Sequence, residues 1–307
     1  MKDSKRTEVL ERIKELEKKG LFHEEVEINP PTITLKPEDV DYLNKKWYHR
    51  LNTKLANQIA KNYIEKLIKK KKLIIKEVIG FEKINKMNSG FILTCNHFNP
   101  YDNFALHEIL VPYLSKTKRR FYKVIREGNF SFKGIYGYFF RNCDTLPLSS
   151  NISTMREFNK AMDCILKRND VVLIYPEQSM WWNYRKPRPL KTGAFKYAYK
   201  SNVPIVPCFI TMEDTNIVGE DGFYIQAYTI HFFEPIYPNL NVNIKDATEE
   251  LSKIINFGKK SMKRYIKNHL DMGKRKNNDD YIFNHYWYNY IIYYIIESIY
   301  CYPSLWI

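Results

Sequence analysis

The sequence predicts an α/β fold: a mixed, largely parallel sheet covered by helices, with an N-terminal helical segment in front of it. Three observations carry this prediction. Strand-like and helix-like stretches alternate from residue 72 onward, the pattern of helices packed on a sheet. Two strand-like runs, "GFILTC" (90–95) and "VVLIYP" (171–176), are apolar and too short for helices. The chain has 307 residues and 44% hydrophobic content, enough for one large domain or two modest ones with a real core.

Taken in order, "MKDSKRTEVLERIKELEKKG" reads as a solvated amphipathic helix and contains no apolar core of a secretory signal. "INPPTITLKP" (28–37) is a proline-punctuated linker. Residues 38–70 read as one or two helices, with Tyr42, Leu43, Trp47, Leu51, Leu55, Ile59, Tyr63 and Leu67 at three-to-four spacing. "KLIIKEVIGFEKI" (72–84) is the first strand region and "GFILTC" a buried strand. Residues 103–114 form a helix, "RFYKVI" (120–125) a strand, "FKGIYGYFF" (132–140) a short helix and "DTLPL" a short strand. Residues 153–167 form a helix in which Thr154 as cap places Glu157 for a capping box. After the strand "VVLIYP" come a helix over 190–201, the strand "PIVPCFIT" (204–211), one long or two short strands in "FYIQAYTIHFFEPI" (223–236), and a closing helix over 247–268. The organisation is therefore an N-terminal helical segment (1–72), an α/β domain (73–270) and a C-terminal tail (271–307).

That tail is dominated by aromatics and isoleucine. From Tyr286 to Leu305 it carries one charge, Glu297, beside many tyrosine hydroxyls and Pro303. A spanning helix needs ~20 predominantly apolar residues. The composition fits an interfacial anchor better, with packing on the core or a partner as the other reading. Cys95, Cys143, Cys164, Cys208 and Cys301 form no CxxC pair and no even framework, so they read as reduced thiols of a cytoplasmic protein, with no metal site. The formal charge of +15 suits an anionic partner: nucleic acid, an anionic membrane, or a phosphorylated or CoA-type substrate. Lys, Asn, Ile and Tyr are abundant together, as AT-rich coding also produces, so charge by itself decides little.

The chemistry is sharpest in "CNHFNPYD" (95–102). An imidazole can take a proton from a hydroxyl near neutral pH, and works best when a carboxylate holds its other nitrogen. His97 and Asp102 lie five apart in a loop that Pro100 bends, so the two side chains can meet. On spacing alone a second reading stands beside this one: Asp102 caps the following helix and His97 is an ordinary loop histidine. A second segment, "VVLIYPEQS", presents Glu177 at the carboxyl end of a strand, where α/β sheets place their sites. A third, "LKTGAFKYAYKSNVPIVP", opens a helix with Lys191 and Gly193, whose start favours a phosphate.

"NHFNPYD", "YPEQS" and "VPIVP" resemble, in order, blocks I, III and IV of the glycerolipid acyltransferases, the family of 1-acylglycerol-3-phosphate acyltransferases, over about residues 73–235. The resemblance implies an α/β layer structure. It also implies transfer of a fatty acyl group from acyl-CoA or acyl-carrier protein to the hydroxyl of a lysophospholipid such as 1-acylglycerol-3-phosphate, in phospholipid biosynthesis, with no cofactor beyond that co-substrate. The implied partners are the lipid acceptor, the acyl donor and an anionic membrane surface, with no nucleic acid. The implied place is peripheral, on the cytoplasmic face of the cell membrane. In the family's pattern His97 is the general base and Asp102 orients it. Glu177, Lys191, Gly193, Asn96 and Arg141 fall on the substrate-binding side, with bracing of the loop as the alternative for Asn96.

Two departures bear on the acceptor. The third block usually reads F-P-E-G-T-R; here it is Tyr175, Pro176, Glu177, Gln178, Ser179, Met180, without the glycine or the arginine. Block II commonly ends in another arginine, where "DTLPLSSN" offers Ser149 and Ser150. Neither serine nor methionine imitates the bidentate fork of an arginine on phosphate. The cations at hand are Arg185, Lys186, Arg188 and Lys191, with Arg126 and Arg141; each is either a phosphate contact or a solvated surface charge, and Lys191 is the first choice. Trp181, Trp182 and Tyr184 either line an acyl channel or bilayer contact, or pack as a loop. Lys69–Lys72 either meet anionic headgroups or end a solvated helix. Two other functions compete. A basic nucleic-acid binder is suggested by the charge and 24 tyrosines, without an RNP, zinc or helix-turn-helix signature. A lipid-binding member without catalysis is suggested by the missing arginines.

Overall fold

The computed structural model describes residues 3–29 and 31–256. The tail over 271–307 and the far part of the helix expected to residue 268 lie outside the described residues, and residues 244–256 are helical. Seven strands form one mixed sheet in the order β1-β7-β6-β2-β5-β3-β4. They are β1 (Ile74–Ile79), β2 (Phe91–Thr94), β3 (Phe121–Ile125), β4 (Thr145–Pro147), β5 (Val171–Ile174), β6 (Ile205–Val218) and β7 (Tyr224–Phe232). Among the described strands only β6 and β7 pair antiparallel, because they are joined by a short turn, which Gly222 closes at φ 77. Helical crossovers such as α3 (Asp102–Lys116), α4 (Gly134–Asn142), α5 (Ile152–Lys167) and α6 (Gly193–Ser201) keep the strands from β2 to β6 parallel. The expected mixed, largely parallel sheet is the one observed.

β2 is buried along its whole length between β5 and β6. Phe91, Leu93 and Cys95 join one apolar cluster with Ala56, Ala60 and Ile64 of α2 (Trp47–Lys69), Leu106 and Leu110 of α3 and Phe139 of α4. α5 and α6 pack on each other, with α6 against β2 and α5 against β5. The sheet is thereby covered on both faces, as the continuous apolar runs require. Gly90 marks the tightest approach: a Cβ there would stand 2.3 Å from the carbonyl oxygen of Leu166 at the end of α5.

Two local expectations are corrected. The cap of α5 is Asn151, which accepts from the amides of Ser153 and Thr154. Thr154 is one turn too far in, is buried, and donates its hydroxyl to the Leu35 carbonyl. Residues 28–37 are also more than a linker. The Leu35 amide donates to Glu127 Oε1 at 2.7 Å, and the Leu35 carbonyl accepts from Thr154 and lies 2.9 Å from the Ser149 hydroxyl oxygen. Helix α1 (Ser4–Lys19) is capped by Asp3 and ended by Gly20 at φ 71, and buries Ile13 against Val26 and Trp181. The chain between α1 and α2 is therefore a strap bonded across the carboxyl edge of the sheet. Among the described residues Cys95, Cys143, Cys164 and Cys208 are free thiols, and Cys301 lies outside them.

Candidate active site

Parallel pairing of β2 with β5 sets Thr94 beside Ile174. The two strands therefore release their next residues together: His97 from one, and Tyr175, Pro176 and Glu177 from the other. The His97 amide donates to Glu177 Oε2 at 3.2 Å, joining the two loops directly.

His97 Nδ1 lies 2.8 Å from Asp102 Oδ2. Asp102 is fully buried, at the first position of α3, where the helix's unpaired amides favour a carboxylate. It does not cap that helix: Tyr101 stands at the cap, and the Asp102 carboxylate turns back on the loop, with Oδ2 also accepting from the amides of Phe98 at 3.0 Å and Asn99 at 3.3 Å. One side chain thus closes the loop and holds the imidazole. The His97 side chain is 21% exposed, and its Nε2 has no protein partner among the described residues. With Nδ1–H committed to a carboxylate, Nε2 is the nitrogen left with a lone pair.

Tyr175, where the family pattern has phenylalanine, donates its hydroxyl to Asp102 Oδ1 at 2.6 Å. Its ring stacks on His97, with centroids 4.0 Å apart and planes 17° from parallel. Burial, then the Asp102 charge, push this phenol well above its ordinary pKa, so it stays a donor. Nothing in the apolar run before it marked Tyr175; the hydroxyl on an aromatic strand end was the available signal.

Asn96 and Glu177, both expected toward the substrate, are turned inward. The Asn96 amide pairs with Ile210 on β6, accepting from its N–H at 2.8 Å and donating to its carbonyl at 3.0 Å. It extends the β2–β6 ladder by a side chain, which is the bracing alternative. Glu177 is 2% exposed and accepts from the amides of His97 and Arg188. Its Oε2 also lies 3.1 Å from the guanidinium of Arg188. This carboxylate is enclosed by protein donors and braces the two loops.

Arg188 corrects a further expectation. Expected among the cations for a phosphate, it is instead buried, bonded to the carbonyls of Phe22, His97 and Ser179 and to the Ser179 hydroxyl, over the ring of Trp181. A charge this enclosed requires such satisfaction, and its partners come from three separate segments that no local pattern links. Trp181 and Trp182 are buried too, so their loop packs; Trp181 donates to the Glu24 carbonyl in the strap.

The other cations divide the same way. Arg185 pairs with Asp214 and Gln226, Lys186 with Glu17, and Arg126 with Glu25. Arg141 donates to the carbonyls of Phe130 and Phe132, holding the turn that opens α4. Ser149 and Ser150 give their hydroxyls to Glu127. Burial works against that carboxylate, but hydrogen bonds from Ser149, Leu35 and Ser150 outweigh it and hold its pKa below the usual range. Lys191 remains. Its amide donates to the Pro176 carbonyl at 2.8 Å, tying it to the end of β5, while its exposed side chain has no partner among the described residues. Gly193 is the first residue of α6, with open space at its Cα, and Thr192 leaves that helix start without a side-chain cap.

An acyltransferase family model matches residues 76–211. The 1-acyl-sn-glycerol-3-phosphate acyltransferase of Saccharomyces cerevisiae is 24% identical over 149 residues, 48% of this chain and 46% of that protein. The chain thus spans about half the length of the curated relative it matches. Among solved structures, the 1-acyl-sn-glycerophosphate acyltransferase PlsC of Thermotoga maritima aligns over 72% of this chain and 85% of its own, at 17% identity and a TM-score of 0.46.

Proposed function

We propose that this chain, whose residues 76–211 carry an acyltransferase-family domain, moves a fatty acyl group from a thioester donor, acyl-CoA or acyl-carrier protein, to the hydroxyl of a lysophospholipid such as 1-acylglycerol-3-phosphate. The observation that carries this is His97 Nδ1 held 2.8 Å from a buried carboxylate, with Nε2 unengaged. His97 Nε2 takes the acceptor's hydroxyl proton as the oxygen attacks the thioester carbonyl carbon. Asp102 stabilises the imidazolium that forms. The tetrahedral intermediate then expels the thiolate, which takes the proton back from His97. Atoms and charge balance without a covalent enzyme intermediate or a cofactor.

Lys191 and the start of α6 receive the acceptor's phosphate in this reading. Every other cation named for that role is committed to protein groups, and a helix start with an exposed lysine favours an anion. The protein works peripherally at an anionic membrane, on the cytoplasmic face where its donors are found. Among the described residues no helix is long and apolar enough to cross a bilayer. α2 instead exposes Trp47 (69%), Leu51 (58%) and Leu55 (54%) in one stripe, flanked by Lys45, Lys46, Arg50 and Lys54, with no acidic residue between Asp41 and Glu65.

The test is a panel of lysolipids offered with radiolabelled acyl-CoA and acyl-carrier protein. Transfer by the wild type, reduced about a thousandfold in His97→Ala, is expected. Lys191→Ala should raise KM for phosphorylated acceptors alone. No transfer with any donor, or transfer undiminished in His97→Ala, overturns the reading.

A further inference from the structure

We infer that Tyr175 is a positioning residue of the His97–Asp102 pair, holding both members from one side chain. This rests on the acyl-transfer reading for its kinetic consequence, but its geometric content stands apart from it. Asp102 is fully buried, and among the described residues no lysine or arginine pairs with it. Its two oxygens are therefore satisfied by hydrogen-bond donors. Three of these, His97 Nδ1–H and the amides of Phe98 and Asn99, converge on Oδ2. Oδ1 receives the Tyr175 hydroxyl. Without it, that buried oxygen would hold a desolvated lone pair with no donor.

The same residue fixes the imidazole plane. Tyr175 stacks on His97 at 4.0 Å and 17° while its hydroxyl reaches past the ring to the carboxylate. A ring flip or a tilt of His97 would break either the stack or the Nδ1 bond. Tyr175 can do this because it follows β5 directly, and the β2–β5 register brings it level with the His97 loop. The arrangement specifies the tautomer with the proton on Nδ1 and aims Nε2 away from Asp102.

Two variants separate the two contributions. Tyr175→Phe keeps the stack and removes the hydroxyl; Tyr175→Leu removes both. With the full-length protein, kcat should fall about tenfold in Tyr175→Phe and about a hundredfold in Tyr175→Leu, with both KM values within about twofold of wild type. The second readout needs no activity: in protein with ¹⁵N-labelled histidine, His97 should sit in the Nδ1–H tautomer in the wild type. It should become a tautomer mixture in Tyr175→Leu, with thermal melting confirming that the variants are folded. A wild type inactive on every acceptor would sink the acyl-transfer reading and leave the tautomer measurement to judge Tyr175. Wild-type kcat and an unchanged His97 tautomer in both variants would overturn the inference.

Discussion

Gln178 shows how a single position departs from the acyltransferase pattern the chain resembles while the turn around it stays closed. The glycine of F-P-E-G-T-R is replaced by a glutamine that holds φ at +67, the left-handed conformation glycine adopts at little steric cost. A non-glycine residue pays roughly 1 kcal/mol or more for it. The surrounding bonds, Gln178 N–H to the Tyr175 carbonyl and Ser179 N–H to that of Glu177, hold the turn regardless. Gln178→Gly should therefore leave thermal stability equal or slightly raised, while Gln178→Val, β-branched in that conformation, should lower it by about 1–2 kcal/mol. Chemical denaturation of the three proteins gives the order directly; a valine variant as stable as the glycine one would mean the turn relaxes out of φ > 0. At this scale the sequence made His97 and Asp102 visible, because both fall in one block, and it drew attention to Lys191 only as a lysine before a helix start. It left Tyr175 and Arg188 hidden, because their roles depend on partners in other segments.

Among the elements, strands and helices were legible wherever packing on the sheet dictates a local pattern. Each of the seven strands falls on a stretch whose apolar character marked it, and the errors are at ends. β6 and β7 form one long antiparallel ribbon that runs past the buried part of the sheet, where burial no longer writes a pattern into the sequence. The start of α5 was misplaced because Asn151 and Thr154 are both competent caps, and the choice between them is made by the Leu35 carbonyl of the strap. α2 reads differently along its two sides: Thr53, Ala56, Ala60, Ile64 and Leu67 face the core, while Trp47, Leu51 and Leu55 face outward among cations. Replacing those three by alanine should weaken binding to vesicles containing anionic lipid about tenfold or more, with the melting temperature nearly unchanged. Co-sedimentation that shows equal binding by the two proteins would remove α2 from the membrane contact.

For the molecule as a whole, the strap between α1 and α2 is what sequence reading missed most completely. Its prolines and polar residues have a linker's composition, and they do lack regular structure. Yet its carbonyls and amides bond to Arg188, Trp181, Glu127, Ser149 and Thr154, so it binds together the carboxyl ends of β3, β4 and β5. The serines that stand in place of the block II arginine are bonded to Glu127, and Arg188 is taken up by Glu177 and the strap. In the proposed reaction, Lys191 and the start of α6 are the cationic group left for the acceptor's phosphate. The account depends most on the buried carboxylate that the β2 loop folds onto its own histidine, and the direct measurement is steady-state acyl transfer by Asp102→Asn beside the wild type, with folding checked by circular dichroism. The account predicts a kcat lower by on the order of a thousandfold, with KM little changed and the fold intact. A folded Asp102→Asn protein that transfers acyl groups at near the wild-type rate would contradict it.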